Sequence, residues 1–449
     1  MLRLIAVGFL LWVVANPVGA AISVISIATA VYLAALFYRL RIFWAALNAP
    51  ASVRVTDERA KAVWDRTLPT YTVLVPAFGE PEVIGQLVAA INALDYPRDR
   101  LDVKLLLEED DLPTIRAARE ALADAMADHI QICLVPYSEP RTKPKACNYG
   151  LAQARGRHVT VYDAEDRPEP LQLRRAVLAF RAADESVACL QAKLSYYNPQ
   201  QNSITRWFTV EYAMWFSQLL PGLMLGSAPL PLGGTSNHFR RSVLDQVGGW
   251  DPYNVTEDAD LGIRLHRLGY RTQVLESTTL EEANSDFINW VKQRSRWYKG
   301  YMQTWLVHMR HPRALLRDLG PGGFAQFSLF VGGTPLLAIL NPLFWALTGL
   351  WIVGQREAIS QLFPPWLYYG GLLSLTLGNA AFVYLAMAAA REAGSPRLVI
   401  ASVLTPLYWI MMSIAAIKAV LQLATAPSFW EKTIHGLDRK APVEAIDGT

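Results

Sequence analysis

Apolar positions divide this chain into three regimes. Residues 1–40 and 322–425 are nearly unbroken apolar runs, whereas 41–321 mixes polar and apolar positions as a soluble α/β domain does. From Val18 to Tyr38 there are 21 residues without a charge, enough to cross a hydrocarbon layer of about 30 Å at about 1.5 Å per residue. The preceding run, Leu4 to Val14, is shorter and is separated by Asn16-Pro17, so the N-terminus reads as a tight membrane hairpin and not as a cleaved signal peptide. Arg39 and Arg41 place its exit on the cytoplasmic side.

The C-terminal apolar region divides into Phe324 to Val353, Trp366 to Ala388 and Leu398 to Leu423, the first broken at Gly332-Gly333-Thr334-Pro335 and at Asn341-Pro342. If the tail beyond is to share a side with the central block, the crossings must be even in number. Phe324 to Val353 can be an interfacial helix plus one span or two short spans, and parity favours the second, with four C-terminal spans in all. Arg391 and Arg397 argue the other way, because they favour a cytosolic loop between the last two spans. The expected organisation is a membrane hairpin over 1–40, a cytosolic domain with interfacial helices at its end over 41–321, membrane helices over 322–425 and a cytosolic tail over 426–449.

Inside the central block, β-branched and aromatic runs predict strands at Tyr71 to Val75, Val103 to Leu107, Ile130 to Val135, Arg157 to Tyr162 and Val187 to Leu194. Helical periodicity at Val83 to Leu94 and Thr114 to Met126 falls between the first three. Such alternation predicts an α/β fold with a mostly parallel sheet, whose ligands bind beyond the carboxyl ends of the strands. A further helix, Ile204 to Leu220, carries Trp207, Phe208, Tyr212, Trp215 and Phe216. It either packs on the core or membrane interface or offers a sugar-stacking platform.

Charge narrows the partners. A formal net charge of +3 with dispersed Lys and Arg gives no basic stripe, and nucleic acid is excluded as a partner. Cys133, Cys147 and Cys189 are odd in number and lack metal-ligand spacing, which fits a reducing compartment.

The candidate chemistry lies in acidic clusters at strand ends. Glu108-Glu109-Asp110-Asp111 follows the second predicted strand, Asp163-Ala164-Glu165-Asp166 the fourth, and Thr256-Glu257-Asp258 opens a helix. Each alone has a plain structural reading, since negative charge is favoured at helix starts. Together they suit nucleotide-sugar transfer, which needs a divalent cation on the diphosphate, a carboxylate to deprotonate the acceptor hydroxyl and basic or aromatic groups around the leaving group. Carboxylates two apart on a strand end can converge on Mg2+ or Mn2+. Thr256 offers a cap oxygen, which leaves Asp258 free to face a cleft. Gln293, Arg296 and Trp297 lie at i, i+3 and i+4 of a helix beginning near Asp286 and so share one face. That face can floor a sugar subsite, or Trp297 can pack on membrane-proximal helices.

The order of these motifs over about residues 70–300 resembles the processive members of glycosyltransferase family 2, the group of cellulose, curdlan, chitin and hyaluronan synthases. The chain is most similar to the subgroup whose motifs read VPxxxE, LEEDD, KPxACNYGL, YDAEDxPEP, TEDADLGxRL and QRxRWxKG. The resemblance implies a GT-A fold and a bacterial inner-membrane enzyme that passes sugar from a nucleotide-sugar, UDP-linked, to a growing β-linked glycan. Carried over by position, Pro76, Phe78 and Glu80 would border the base, Asp110 or Asp111 would bind the nucleoside, and Lys145 would approach the phosphates. Asp163 and Glu165 would hold the metal, although the family's DxD is here DxED, so Asp166 competes with Glu165 for that part. Asp258, with Glu257 beside it, would be the general base; Gly234 and Thr235 would lie near donor sugar and acceptor; Gln293, Arg296 and Trp297 would bracket the acceptor end and the leaving diphosphate. Trp430, Lys432 and Thr433 are similar to the gating segment of these synthases, or form an ordinary polar tail. Processive export is the leading expectation, with a separate regulatory or export subunit. Single transfer to a lipid or lipid-linked acceptor is the alternative, and an inactive receptor or scaffold the third reading.

Overall fold

A computed structural model describes residues 11–48, 52–125, 127, 129–392, 394–427 and 429–432. Most of the first arm of the expected hairpin, Met126 and Thr433 lie outside the described residues.

The apolar runs of the central block form strands β1 (Tyr71–Ala77), β2 (Leu101–Glu108), β3 (Ile130–Val135), β4 (His158–Val161) and β6 (Val187–Tyr196), with the two-residue β5 (Arg167–Pro168) between the last two. Two strands without an apolar signature join them, β7 (Asn237–Arg240) and β8 (Arg271–Glu281). The sheet order is β3-β2-β1-β4-β7-β6-β8-β5. β3, β2, β1 and β4 run parallel, β7 is antiparallel to β4 and β6, and β8 is parallel to β6. β2 is buried along its whole length and β1 nearly so, the pattern of strands covered on both faces. Because β1 and β4 are parallel with Leu74 opposite Val161, the residues that follow them, Phe78–Glu80 and Asp163–Asp166, leave the sheet at the same end. β7 is polar yet buried because its side chains find partners: His238 Nδ1 meets Tyr71 Oη at 2.7 Å and its Nε2 meets Gln172 Oε1 at 3.2 Å.

Helices α1 (Pro17–Asn48), α2 (Lys143–Ala152), α3 (Glu257–Arg267), α4 (Phe287–His308), α5 (Gly333–Ile352), α6 (Asn379–Glu392) and α7 (Thr405–Thr425) position the site and the apolar region. Among the described residues, four helical segments are long and apolar enough to cross a membrane: Pro17–Asn48, Pro312–Ile352, Pro365–Glu392 and Thr405–Thr425. Three of them follow the sheet domain, which corrects the expectation of four. The Gly332-Gly333-Thr334-Pro335 stretch does not break the helix. A π-helical turn at Ser328–Gly332 absorbs it, with Thr334 Oγ1 donating to the Phe330 carbonyl at 2.6 Å, and Pro342 sits inside α5 without ending it.

α4 starts where Asp286 accepts the Asn289 N–H at 2.7 Å. One side of it meets α7, where the Trp290 and Tyr408 ring centroids are 5.1 Å apart, and the tail beyond α7, where Lys299 Nζ donates to the Phe429 carbonyl at 2.6 Å. Another side meets the start of α3, where a Cβ at Gly300 would overlap the Thr256 side chain. Thr256 stands at the N-cap of α3 but makes no side-chain capping bond, contrary to expectation; its N–H and hydroxyl go to Asn254 Oδ1 at 3.0 and 3.5 Å. Gly300→Ala is therefore expected to force α4 from α3 and to destabilise the fold by about 1–3 kcal/mol. The check is the thermal midpoint of the purified variant, which should fall by several degrees; an unchanged midpoint would mean that the two helices are not in closest contact there.

Candidate active site

Two cavities meet at the ends of β1 and β4. The smaller, about 220 Å3, is lined by Pro76, Phe78 and Glu80 after β1, by Arg141 and Lys143 at the start of α2, and by Asp163 and Glu165 after β4. The larger, about 430 Å3, is lined at one end by Glu257, Asp258, Gly234, Gln293 and Trp297. At its other end it is lined by residues of the apolar helices, among them Leu36, Phe382 and Met412. Lys143, Asp163, Glu165, Arg296 and Trp430 line both. Carboxylates almost a hundred positions apart in sequence thus share one connected space, and part of its wall belongs to the apolar helices.

Lys143 is one of two cations at the junction, with Arg296. Its Nζ lies 2.5 Å from Asp163 Oδ1 and donates to the Gly234 carbonyl at 2.5 Å. Burial opposes its charge, but Asp163, Asp258 and Glu257 outweigh burial and hold its pKa well above the ordinary lysine value. Burial raises Asp258, and Glu257 beside it raises it further. Glu257 is itself raised by burial. Burial lowers Arg296, against Glu257, Asp163 and Glu165, which favour its charge.

Not every motif residue reaches this space. Asp111 caps the helix Leu112–Asp124 and takes the Gly79 N–H at 2.5 Å, which holds the turn after β1 at a glycine with φ +62°. Asp110 pairs with Arg141 at 2.6 Å, and neither aspartate lines a cavity. Lys145 lines neither cavity; it pairs at 2.9 Å with Glu108, which borders the smaller one, and donates to the carbonyls of Pro136 and Ser138. Asp166 is buried behind the site, where it accepts the Thr235 hydroxyl and the Asp163 N–H, and burial followed by Asp163 raises its pKa. Thr235 is likewise buried and outside the cavities. In the tail, Trp430 lies against Arg296, 4.7 Å from guanidinium carbon to ring centroid, and Lys432 donates to the carbonyls of Phe78 and Gly79.

The aromatic helix divides its residues: Phe208 is buried outside the cavities, whereas Trp207, Tyr212, Trp215 and the buried Phe216 line the larger one. Sequence reasoning passed over Arg39, Lys143, Arg141, Glu211 and Glu281. Of these, Glu281 closes β8 inside the larger cavity, its carboxyl pushed well up by burial and then by Asp166. Only Lys143 carried a signal, its place one residue before Pro144 in the first turn of α2.

A site suited to a divalent cation needs oxygen donors that face the donor phosphates. Among the described residues no group of three or more His, Cys, Asp or Glu side chains forms a ready metal site. Asp163 and Glu165 do line both cavities, and a pair of carboxylates completed by substrate phosphates is a usual donor set for such ions.

The charge at Asp258 has a measurable consequence. A carboxyl that holds its proton more tightly folded than unfolded makes stability fall as pH rises from the ordinary carboxyl range through its raised value. Asp258→Asn removes that loss: the variant should melt a few degrees above the parent near about pH 8 and within about a degree of it near about pH 4. Equal midpoints at both pH values would show that Asp258 is not held against its charge.

Comparison with known proteins agrees with this geometry. A model of the family described as "Glycosyltransferase like family 2" matches residues 69–300, more than half of the chain. The probable glycosyltransferase YdaM of Bacillus subtilis is 30% identical over 290 residues, 62% of this chain and 68% of that protein. A beta-monoglucosyldiacylglycerol synthase of Synechocystis is 28% identical over 394 residues, 82% of this chain and 75% of that protein. Among solved structures, the mannosyltransferase PcManGT from Pyrobaculum calidifontis, in complex with GDP-Man and Mn2+, superposes with a TM-score of 0.56 at 21% identity, covering 90% of this chain and 99% of that one. The chain belongs to glycosyltransferase family 2 and is a nucleotide-sugar glycosyltransferase with a GT-A-like fold.

Proposed function

We propose that this enzyme transfers one sugar from a nucleotide-sugar to a hydroxyl of a membrane lipid, with inversion at the anomeric carbon. The observation that carries this reading is the larger cavity, which joins Asp258 and Trp297 to the apolar helices α1, α6 and α7. At about 430 Å3 it lies within the size of small-molecule sites. Its apolar end suits acyl chains and its polar end a hydroxyl headgroup. The likeness to a glucosyldiacylglycerol synthase, in a relative matched over most of both chains, supports the same acceptor class.

The donor's nucleotide lies in the smaller cavity against Pro76, Phe78 and Glu80, and its diphosphate meets Lys143 and Arg296 at the junction. A divalent cation, when bound at Asp163 and Glu165, supplies positive charge to the diphosphate. Asp258 takes the proton of the acceptor hydroxyl, and that oxygen forms a bond to the anomeric carbon. The bond from that carbon to the diphosphate oxygen breaks on the opposite side, and the nucleoside diphosphate leaves with the electron pair. A raised carboxyl pKa suits a general base near neutral pH. Gln293 and Trp297 border the acceptor headgroup.

The membrane arrangement follows from the tail. Trp430 and Lys432 stand at the donor cavity, so the crossings after the sheet domain are even. Pro312–Ile352 and Pro365–Glu392 supply two crossings, and α7, packed along α4, lies at the cytosolic interface. Processive glycan synthesis is the second reading, favoured by the closure of Trp430 over Arg296 in the manner of a gating segment. Product length decides between the two. Purified protein given nucleotide-sugar, Mg2+ or Mn2+ and lipid vesicles should yield lipid bearing one sugar and no soluble polymer. Asp258→Asn should lower turnover by about 100-fold or more with donor affinity kept. Polymer as the sole product, or turnover kept in that variant, would overturn the reading.

A further inference from the structure

Arg39 is unlike the other charges of the site. It and Arg41 are the only charged residues of α1. Arg41 is exposed, as a flanking cation should be, whereas Arg39 is turned in and lines the larger cavity between Leu36, Phe382 and Thr334. Its Nη2 donates to Thr334 Oγ1 at 3.3 Å, and its guanidinium lies 5.3 Å from the centre of the Phe382 ring. Among the described residues it forms no ion pair. The carboxylate in this part of the cavity, Glu211, is already taken: Arg294 holds it with both terminal nitrogens, one at 2.8 Å, and the Tyr408 hydroxyl donates to it at 2.7 Å. Two guanidiniums against one carboxylate leave one positive charge in an apolar wall, an expensive arrangement unless an anion arrives from outside the chain.

We propose that Arg39 binds the phosphate of the acceptor lipid, so that the acceptor is a phospholipid with a free headgroup hydroxyl and not a neutral diacylglycerol. This rests on the lipid-acceptor reading above. A guanidinium fork suits phosphate oxygens, and Arg39 sits in the last third of α1, toward the end from which the chain enters the sheet domain, where a lipid's phosphate would lie. The acyl chains would then run along Leu36, Ala386 and Met412, and the headgroup hydroxyl would extend toward Asp258. A neutral glyceride would leave Arg39 without a counter-charge.

The test is lipid retention by the full chain in a polyoxyethylene detergent, with phosphatidylglycerol and diacylglycerol of identical acyl chains as probes. The parent should hold phosphatidylglycerol about tenfold more tightly than diacylglycerol. Arg39→Gln should erase that preference while diacylglycerol retention stays within about twofold, and Arg39→Lys should restore part of it. Nucleotide binding by each variant reports that it is folded. Equal retention of phosphatidylglycerol by Arg39→Gln, loss of both lipids together in a variant that still binds nucleotide, or a parent that prefers diacylglycerol would each overturn the proposal. A protein that shows the phosphate preference but glycosylates neither lipid would instead refute the lipid-acceptor reading and leave the Arg39 assignment standing.

Discussion

Lys143 is an ammonium group held among carboxylates that burial would otherwise drive to take up protons. It touches Asp163 and the Gly234 carbonyl, and Asp258 and Glu257 add to the field that keeps it charged. The rest of the site depends on this balance, because the carboxylates arrive from separate parts of the chain and share one desolvated space. The parallel pairing of β1 and β4 delivers Asp163 beside the turn after β1, and α3 brings Asp258 from the far side. Without a cation between them, such a cluster would protonate or open. Burial leaves Glu257 and Asp258 raised against the pull of Lys143, Asp258 further by Glu257 beside it, which suits Asp258 to take a proton from a bound hydroxyl.

α4 joins this polar cluster to the apolar region. One helix carries Gln293, Arg296 and Trp297 into the cavity, meets Thr256 through Gly300, packs along α7 through Trp290 and reaches the tail beyond α7 through Lys299. A shift of α7 would therefore reach the donor side through α4 and through the tail that lies over Arg296. This geometry couples what occupies the apolar end to what occupies the polar end, since one rigid element borders both.

The strands whose burial comes from apolar runs were legible in the sequence: β1, β2, β3, β4 and β6 fall within a few residues of their expected positions. β7 and β8 were not, because Asn237–Arg240 and much of Arg271–Glu281 are polar and owe their burial to hydrogen-bond partners that no local pattern shows. Acidic clusters at strand ends pointed to Asp163 and Asp258, and helical spacing put Gln293, Arg296 and Trp297 on one face. Direction was the part that could not be read. Lys143 and Lys145 are two residues apart on a helix and so point to nearly opposite sides, and only the first faces the site. Asp166 turns behind Asp163, and Arg39, read from the sequence only as a mark of the cytoplasmic exit, turns into the larger cavity. The missing fourth C-terminal span has a similar origin, since a glycine-proline interruption reads as a break until a π-helical turn absorbs it.

The central claim is that a lipid enters the cavity between the apolar helices and presents its hydroxyl to Asp258. The most direct measurement is photolabelling in vesicles with a lipid that carries a photoreactive group on its acyl chain, followed by mapping of the labelled residues. Label is expected at the cavity residues Phe382, Ala386 and Met412, competed away by unlabelled acceptor lipid. Label confined to the outward residues Tyr384, Ile410 and Ile414, with no competition, would contradict it.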